Sequence, residues 1–360
     1  MTTGRVRGAA RAPSPPPIGR YPVEALSPAD PRVLGGVTLR GRLGKGGMGR
    51  VYAGTTEEGE HVAVKVLLDV HAEREDLRSR FAREIAAMRM VQGPGTAALL
   101  DAADPDDDPP WLAMEFVGGL PLKDYARRDG PLGAESGAAL GLVLADALAE
   151  VHDAGLLHRD LKPSNVLLGP EGPRVIDFGL VALGGPGSEL TATGAMVGTP
   201  VCMAPEQFEA PHEVTTAADV HGLGSTLVYA ATGRYPYQRP SMPALVAAVT
   251  DENVPPDLSG VPEELAPLLG RMLAHEPAAR PQLAEVRKLF VDRLAVFGHA
   301  PSAARARLAR ETYVPGADEP DDIAVAQHPR RPRHPVPHRP HRSNMPIVAR
   351  TAERLRRAYA

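Results

Sequence analysis

The chain has 360 residues, of which 43% are hydrophobic, a formal net charge of −4 at pH 7 and one cysteine. This length and apolar content suffice for one large globular domain or two smaller ones. The small net charge excludes a strong global attraction to nucleic acid or to an anionic membrane. A single cysteine excludes an intramolecular disulfide and fits a reducing compartment. The sequence has no apolar run of about 18 residues, the length needed to span a bilayer, and no apolar core of a secretory signal at its start. We therefore expect a soluble, cytoplasmic protein.

Both ends of the chain differ in composition from the middle. Residues 1–33 are rich in Pro and Arg with little apolar periodicity, which predicts a flexible leader. Residues 298–360 are predicted to form a disordered tail rich in Arg, Pro and His, with twelve arginines and six carboxylates from residue 299 onward. Such a tail can bind an acidic partner or a polyanion. No aromatic residues interleave its basic run, so specific binding of single-stranded nucleic acid is poorly supported.

From Val37 the sequence predicts a strand, a glycine-rich turn and a second strand that continues through Val51 to Gly54. A G-x-G-x-x-G pattern alone is weak evidence, because it is also the fingerprint of dinucleotide-binding folds. That fingerprint needs a helix directly after the glycines, whereas this segment stays extended. On this motif alone, a phosphate-binding hairpin and an ordinary glycine-rich hairpin are equally supported.

The next predicted strand, His61 to Leu67, carries a lysine among apolar residues. Burying Lys65 there is costly unless an anion pairs with it. A helix is predicted from about Glu75 to Met90, and Glu84 lies at the edge of its apolar stripe, where it can turn toward Lys65. The alternative for Glu84 is an ordinary solvated carboxylate. Two further strands are predicted near residues 99–101 and 111–116.

The most informative stretch follows a predicted helix over residues 134–152. It reads His158-Arg159-Asp160-Leu161-Lys162-Pro163-Ser164-Asn165, and Asp177-Phe178-Gly179 comes a dozen residues later. Phosphoryl transfer needs a group that orients a hydroxyl, oxygen ligands for Mg²⁺ and a positive charge near the moving phosphoryl group. Asp160, Asn165, Asp177 and Lys162 supply these parts.

This pattern of H-R-D-x-K-x-x-N followed by D-F-G resembles the bacterial Hanks-type serine/threonine protein kinases. The resemblance implies an α+β, two-lobed kinase fold over residues 34–297. The N-lobe, residues 34–117, would be a small antiparallel β-sheet with one αC helix, and the C-lobe, residues 118–297, would be larger and mainly helical. ATP and Mg²⁺ are the implied cofactors. The implied reaction is transfer of the γ-phosphoryl group to Ser or Thr hydroxyls of protein substrates.

The resemblance also assigns roles to individual residues. Asp160 would orient the acceptor hydroxyl, and Lys162 would offset charge on the γ-phosphoryl group. Asn165 and Asp177 would hold Mg²⁺. Lys65, paired with Glu84, would contact the α- and β-phosphates. The remaining residues implied to bind the nucleotide belong to the glycine hairpin, the next strand and the hinge after Met114: Leu43, Gly44, Lys45, Gly46, Gly47, Met48, Gly49, Arg50, Val51, Ala63, Glu115 and Val117.

Residues 180–201, rich in Gly, Thr and Ser, correspond to the activation segment of the family. Thr191 and Thr193 match the spacing of threonines that related bacterial kinases autophosphorylate, and phosphorylation in trans would require self-association. Thr199 would bridge Asp160 and Lys162. The alternative is that these threonines are simply exposed loop residues.

Three residues of the second half of the chain are expected to be structural. Asp219 would brace the catalytic loop, and Arg280 would pair with Glu206. Cys202 stands where many relatives carry tyrosine, which leaves the shape of the peptide-binding wall open. His221 replaces the bulky aromatic residue that is common at its position.

Two other classes of protein share this fold or a related catalytic core. A pseudokinase would show damage at Lys65, Asp160, Asn165 or Asp177, and all four are intact. A small-molecule kinase is disfavoured by Gly198-Thr199-Pro200 and Ala204-Pro205-Glu206, which are typical of a protein-substrate loop.

Overall fold

The computed structural model describes residues 23–46, 49–67, 85–91, 93–104, 107, 109–177 and 200–314. Within these ranges the chain forms a β-sheet lobe followed by a mainly helical lobe. This arrangement confirms the α+β, two-lobed architecture expected from the sequence.

Six strands of the described chain form the antiparallel sheet of the N-lobe, in the order β1-β2-β3-β4-β6-β5. They are β1 (Val33–Leu34), β2 (Val37–Gly46), β3 (Gly49–Thr55), β4 (His61–Leu67), β5 (Leu99–Ala102) and β6 (Trp111–Glu115). The predicted hairpin is confirmed, because β2 and β3 pair antiparallel from Thr38↔Thr55 to Gly46↔Gly49. Of the helix predicted between Glu75 and Met90, only its end is described, as four helical residues at 85–88.

Alternation of side chains along the strands gives the sheet two different faces. Val62, Val64 and Val66 of β4 join a buried apolar cluster with Ile85 and Met88 at the end of the helix. Residues between them, including Lys65, therefore point to the other face of the sheet. This explains how one strand can carry a lysine without placing it in the apolar core.

The C-lobe is built on eight helices within the described residues. They are α1 (Leu122–Asp129), α2 (Ala134–Asp153), α3 (Pro205–Glu209), α4 (Thr216–Thr232), α5 (Met242–Thr250), α6 (Ala266–Met272), α7 (Leu283–Val296) and α8 (Ala304–Thr312). A smaller antiparallel sheet, β7 (Leu120–Pro121), β8 (Val166–Gly169) and β9 (Gly172–Val175), lies between this lobe and the N-lobe. The helices α2, α4 and α7 supply most of one large apolar core that includes Leu144, Leu223 and Phe290.

Helix α2 ends as the sequence predicted. Its last residue is Asp153, and Gly155 follows with φ 75°, a left-handed conformation that favours glycine. The chain then turns back toward the cleft as the catalytic loop, residues 156–165. No helix in the described parts of the chain is both long enough and apolar enough to cross a membrane.

The leader and tail predictions were wrong at the ends that adjoin the domain. Asp30, assigned to the flexible leader, is only 5% exposed, because donors from the sheet surround its carboxylate. Helix α8, assigned to the disordered tail, buries Ala304 and Leu308 in the core of the C-lobe. Its buried face, Ala304, Leu308, Ala309 and Thr312, holds only one large apolar side chain, so the apolar period is weak beside its three arginines. The remaining residues of both segments, 1–22 and 315–360, lie outside the described part of the chain.

Candidate active site

The site lies between the lobes, where β4 faces the segment that follows β9. The Lys65 ammonium, on β4, lies 3.0 Å from a carboxylate oxygen of Asp177. Lys65 is 8% exposed, so this contact supplies the anion that a buried lysine requires. The structure thus brings together two predicted site residues that are 112 positions apart in the sequence.

The glycine hairpin and β4 form the roof of this cleft. Val51 and Lys65 are direct cross-strand partners, as are Ala53 and Ala63, so Val51, Ala63 and Lys65 share one sheet face. Gly44 has open space where a Cβ would stand, and Gly49 has φ 157°. The backbone at the hairpin end is therefore open to a close approach by phosphate oxygens.

The catalytic loop places three predicted residues in direct contact. The Lys162 ammonium lies 2.5 Å from a carboxylate oxygen of Asp160. The side-chain amide nitrogen of Asn165 donates to the same oxygen at 3.2 Å and to the Asp160 carbonyl at 2.8 Å. Asp177 is tied to this group, because the backbone of the preceding residue, Ile176, donates to the Asn165 carbonyl at 3.0 Å.

Two residues of the site have unfavourable backbone conformations. Arg159 and Asp177 have φ values of 63° and 62°, in the left-handed region that non-glycine residues rarely adopt. Such strain persists only where the surroundings enforce it, and it is concentrated at functional sites.

The carboxylate of Asp219, on α4, enforces the conformation at Arg159. It is 1% exposed and accepts hydrogen bonds from the backbone nitrogens of His158 and Arg159 at 2.9 and 2.8 Å. His152, in the last turn of α2, lies with its Nε2 2.8 Å from the same carboxylate. Asp219 therefore connects two helices to the catalytic loop, as a brace would.

Burial lowers the pKa of two histidines of this region, His158 and His221. Desolvation lowers the pKa of His158, and its Nδ1 accepts a hydrogen bond from the backbone nitrogen of Asp160 at 3.3 Å. Desolvation, with the nearby Arg280, lowers the pKa of His221 to about 3. His221 contacts the backbone carbonyl of Cys202 at 3.4 Å, so the two residues that depart from the family pattern touch one another. Burial also raises the pKa of the Cys202 thiol, which makes it unreactive.

The residues present fit a divalent cation in this cleft. Both hydrogen bonds from the Asn165 amide nitrogen go to Asp160, which leaves its amide oxygen as the atom that can bind a cation. One oxygen of Asp177 contacts Lys65, and its second oxygen can face the same cation. Hard oxygen ligands of this type suit Mg²⁺ that is shared with phosphate groups.

Comparisons with known proteins agree with this geometry. The family model described as the protein kinase domain matches residues 37–289. The chain belongs to the protein kinase domain family.

Named relatives refine this assignment. The kinase domain is 44% identical over 265 residues to the serine/threonine-protein kinase AfsK of Streptomyces coelicolor, an alignment that covers 74% of this chain and 33% of AfsK. It is 41% identical over 264 residues to the probable serine/threonine-protein kinase PkwA of Thermomonospora curvata, covering 73% of this chain and 35% of PkwA. The chain thus spans about a third of the length of these curated relatives.

A solved structure shows the same fold. The kinase domain of PknI from Mycobacterium tuberculosis superposes with a TM-score of 0.56 at 26% identity, and the match covers 72% of this chain and 96% of that one. The resemblance to bacterial Hanks-type serine/threonine kinases is therefore confirmed. Members of this family use ATP and a divalent metal.

An ion pair with β9 stabilises the hinge of the kinase domain. The guanidinium of Arg174, on β9, lies 3.1 Å from the carboxylate of Glu115 and donates to the Thr96 carbonyl at 3.1 Å. One carboxylate oxygen of Glu115, Oε2, is thus engaged by Arg174. Val117 packs with Ala97, Leu167 and Ile176 in a small apolar cluster at the lobe junction.

A buried ion pair anchors the substrate-facing part of the kinase domain. Two guanidinium nitrogens of Arg280 contact the two carboxylate oxygens of Glu206, at 2.6 and 2.8 Å, and the Arg280 side chain is fully buried. Gln207 accepts a hydrogen bond from the Ala204 backbone and donates to the Arg159 carbonyl. The pair and Gln207 together connect the segment after the activation loop to the catalytic loop.

Several predicted residues lie outside the described part of the kinase domain: Gly47, Met48, Glu84, Phe178, Gly179, Thr191, Thr193 and Thr199. Leu43, Lys45, Gly46 and Arg50 lie on the hairpin strands, and the Arg50 side chain contacts Asp30 on the face opposite Lys65.

The sequence did not indicate roles for His152, Arg174, Gln207 and Asp30. A polar residue at the end of a helix or strand gives no signal of its partner, and these residues become recognisable only through contacts distant in sequence.

Proposed function

We propose that this kinase domain transfers the γ-phosphoryl group of ATP to serine or threonine hydroxyls of proteins. The observation that carries the proposal is the contact between Lys65 and Asp177 beside the linked group of Asp160, Lys162 and Asn165. These groups occupy one cleft between two lobes, where a nucleotide and an acceptor can meet.

Each residue has a role that its contacts support. Asp160 accepts the hydrogen of the acceptor hydroxyl and orients its oxygen toward the phosphorus. Lys162, already 2.5 Å from Asp160, offsets negative charge as the phosphoryl group moves. Lys65 exchanges part of its contact with Asp177 for the α- and β-phosphates. Backbone groups of the hinge, from Glu115 to Val117, bind the adenine edge.

Asn165 and Asp177 would hold the Mg²⁺ of Mg·ATP. When bound, this ion neutralises phosphate charge and aligns the triphosphate. The preference for serine and threonine rests on Lys162 and on Thr199, whose hydroxyl would bridge Asp160 and Lys162.

Because the reaction uses ATP and the only cysteine, Cys202, is a free thiol, we place the protein in the cytoplasm.

The test is phosphate transfer by the purified 360-residue chain. Incubation with radiolabelled Mg·ATP and a generic acceptor such as casein should label serine and threonine residues. Asp160→Asn should reduce the rate by about three orders of magnitude or more without unfolding the chain. Asp292→Asn is the matched control, because Asp292 is exposed and pairs only with its helix neighbour Lys288 among the described residues. Equal activity of Asp160→Asn and wild type would remove Asp160 from the mechanism.

We also propose that the domain regulates itself by phosphorylating Thr191 or Thr193, in trans through self-association. The support is their position in the segment that joins Asp177 to the substrate-facing residues. Mass spectrometry after incubation with Mg·ATP should find phosphate on one of them, at a rate that rises with protein concentration. Phosphate found only elsewhere would contradict this role.

The basic tail is proposed to bind an acidic partner or a polyanion. Since α8 belongs to the folded domain, this tail begins at residue 315, with nine arginines and five carboxylates. Deleting residues 315–360 should weaken salt-sensitive retention on heparin. Unchanged retention would end this proposal.

A further inference from the structure

Residues 23–34 cross the outer edge of the glycine hairpin before the chain enters the sheet. The backbone of Glu24 exchanges two hydrogen bonds with that of Arg42 on β2, at 2.9 and 2.8 Å. Further along, the Leu39 nitrogen donates to the Arg32 carbonyl at 2.9 Å, and β1 pairs with the start of β2. We call residues 23–34 the strap, because they cover the edge of β2 that does not pair with β3.

One carboxylate fastens the strap to both strands of the hairpin. Asp30 accepts hydrogen bonds from Arg42 Nε at 2.8 Å and Arg42 Nη2 at 2.9 Å. It also accepts from the Tyr52 hydroxyl at 2.9 Å and from Arg50 Nη1 at 3.3 Å. The turn of the strap closes on the same group, because the Ser27 nitrogen donates to it at 2.7 Å.

The cross-strand register makes this contact specific to the hairpin. Arg42 of β2 and Tyr52 of β3 are direct cross-strand partners, so Asp30 contacts both strands at the same residue pair. Its other donor, Arg50, lies one pair from the hairpin end, where Gly46 faces Gly49. Asp30 therefore contacts both strands between their base and their phosphate-facing end.

Asp30 acts on the sheet from the side opposite the nucleotide. Arg50 and Tyr52 share one face of β3, and Val51 between them lies on the other face with its partner Lys65. Tyr52 is 1% exposed and sits in the apolar cluster of the N-lobe. A change at Asp30 thus removes no contact with ATP itself.

Such a carboxylate is a rigid anchor. Burial alone would raise the pKa of Asp30, but the hydrogen bonds from Arg42, Ser27 and Tyr52 outweigh burial and hold that pKa well below its usual range. Its side chain is fully buried, so the ion pairs with Arg42 and Arg50 are shielded from solvent on the Asp30 side. Charge-assisted hydrogen bonds of this kind are the stronger ones in proteins.

We propose that Asp30 is a positioning residue for the nucleotide, which fixes the glycine hairpin over the cleft by holding Arg42, Arg50 and Tyr52 from the far face of the sheet. This inference rests on the proposed function, because it assigns the hairpin to ATP phosphates. The consequence is a hairpin that is already ordered before ATP arrives. Without Asp30, ATP binding would also have to order the hairpin, and the affinity for ATP would fall.

The test compares Asp30→Asn with wild type and with the control Asp292→Asn. We expect the KM for ATP to rise about tenfold and kcat to change by less than about threefold, because the chemical groups on the C-lobe are untouched. Tyr52→Phe, which removes one hydrogen bond and keeps both ion pairs, should give a smaller rise in KM. If Asp30→Asn lowers the thermal midpoint but leaves the KM for ATP unchanged, Asp30 is a stabilising residue only and the proposal is wrong.

A second measurement does not require turnover. Hydrogen exchange of residues 37–55, measured without nucleotide, should be faster in Asp30→Asn while exchange in α2 stays as in wild type. Unchanged exchange in the hairpin would overturn the proposal even if the enzyme is active. A wild type that transfers no phosphate would instead refute the proposed function, and the exchange result would still stand. Should Asp30→Asn not fold, Tyr52→Phe alone decides, and a KM equal to wild type would count against positioning.

Discussion

Replacing Asp219 by Asn tests how the C-lobe controls the catalytic loop. One oxygen of the Asp219 carboxylate accepts from the His158 nitrogen and faces His152, and the other accepts from the Arg159 nitrogen at 2.8 Å. An Asn side chain whose oxygen faces His158 keeps the first two contacts. Its amide nitrogen then faces the Arg159 N–H, donor against donor.

The magnitude follows from this lost contact. A buried donor left without an acceptor costs about 1–3 kcal/mol. The cost falls on Arg159, whose left-handed backbone with φ 63° already carries about 1–2 kcal/mol of strain. Relaxation of Arg159 would shift Asp160, the next residue, away from the acceptor. If the transition state loses about 1.4–2.7 kcal/mol, kcat falls roughly 10- to 100-fold.

Initial rates of phosphate transfer over a range of ATP concentrations measure this effect. The KM for ATP should stay within about twofold, because Lys65 and the hinge lie on other elements. Asp219→Ala removes all three contacts and should lower kcat further. A folded Asp219→Asn protein with the kcat of wild type, or one in which only KM rises, would refute the view that Asp219 acts through the catalytic loop.

Three further predictions concern stability and pH. Arg280→Met should lower the free energy of unfolding in urea by about 3–5 kcal/mol, because it leaves the Glu206 carboxylate buried and unpaired. Glu206→Gln should lower it less, since Arg280 still donates to three backbone carbonyls. Equal losses for the two variants would contradict this account. Leu308→Ala should cost about 2–5 kcal/mol, whereas a negligible cost would mean that α8 adds nothing to the core. The pKa of His221 is about 3 in the folded protein and about 6.5 when unfolded, so only the unfolded state gains a proton as pH falls below about 6.5. The stability due to neutral His221 is complete above that pH and should fall by about 2 kcal/mol by about pH 5; His221→Phe should lack this loss, and parallel stability–pH curves for variant and wild type would disprove it.

The fold was predictable where sequence period and chemistry coincide. The alternating residues of β4 and the glycines of the hairpin determine local structure directly, and α2 shows helical spacing over its whole length. The group of Asp160, Lys162 and Asn165 was predictable because its members lie within six positions. The approach of Asp177 to Lys65, by contrast, was implied by resemblance and not by spacing.

The parts that sequence could not give depend on contacts between distant residues. Asp30 follows a Pro-rich stretch and resembles any loop aspartate until Arg42 and Tyr52 fold around it. Helix α8 has a polar composition, and its docking is evident only from the burial of a few residues such as Ala304, Leu308 and Thr312. In both cases the ordering results from a few specific contacts, which no local pattern reports.

The position of Leu308 has a practical consequence for recombinant fragments. The family match ends at residue 289, one residue before Phe290, which is fully buried in the same core. A fragment trimmed to the match would truncate α7 and lack α8. The apolar surface that these helices cover on the C-lobe would then be exposed and prone to aggregation. Expression boundaries at residues 23 and 314 retain the apolar contacts of this lobe that the described residues make, and such a fragment should remain monodisperse where the shorter one precipitates.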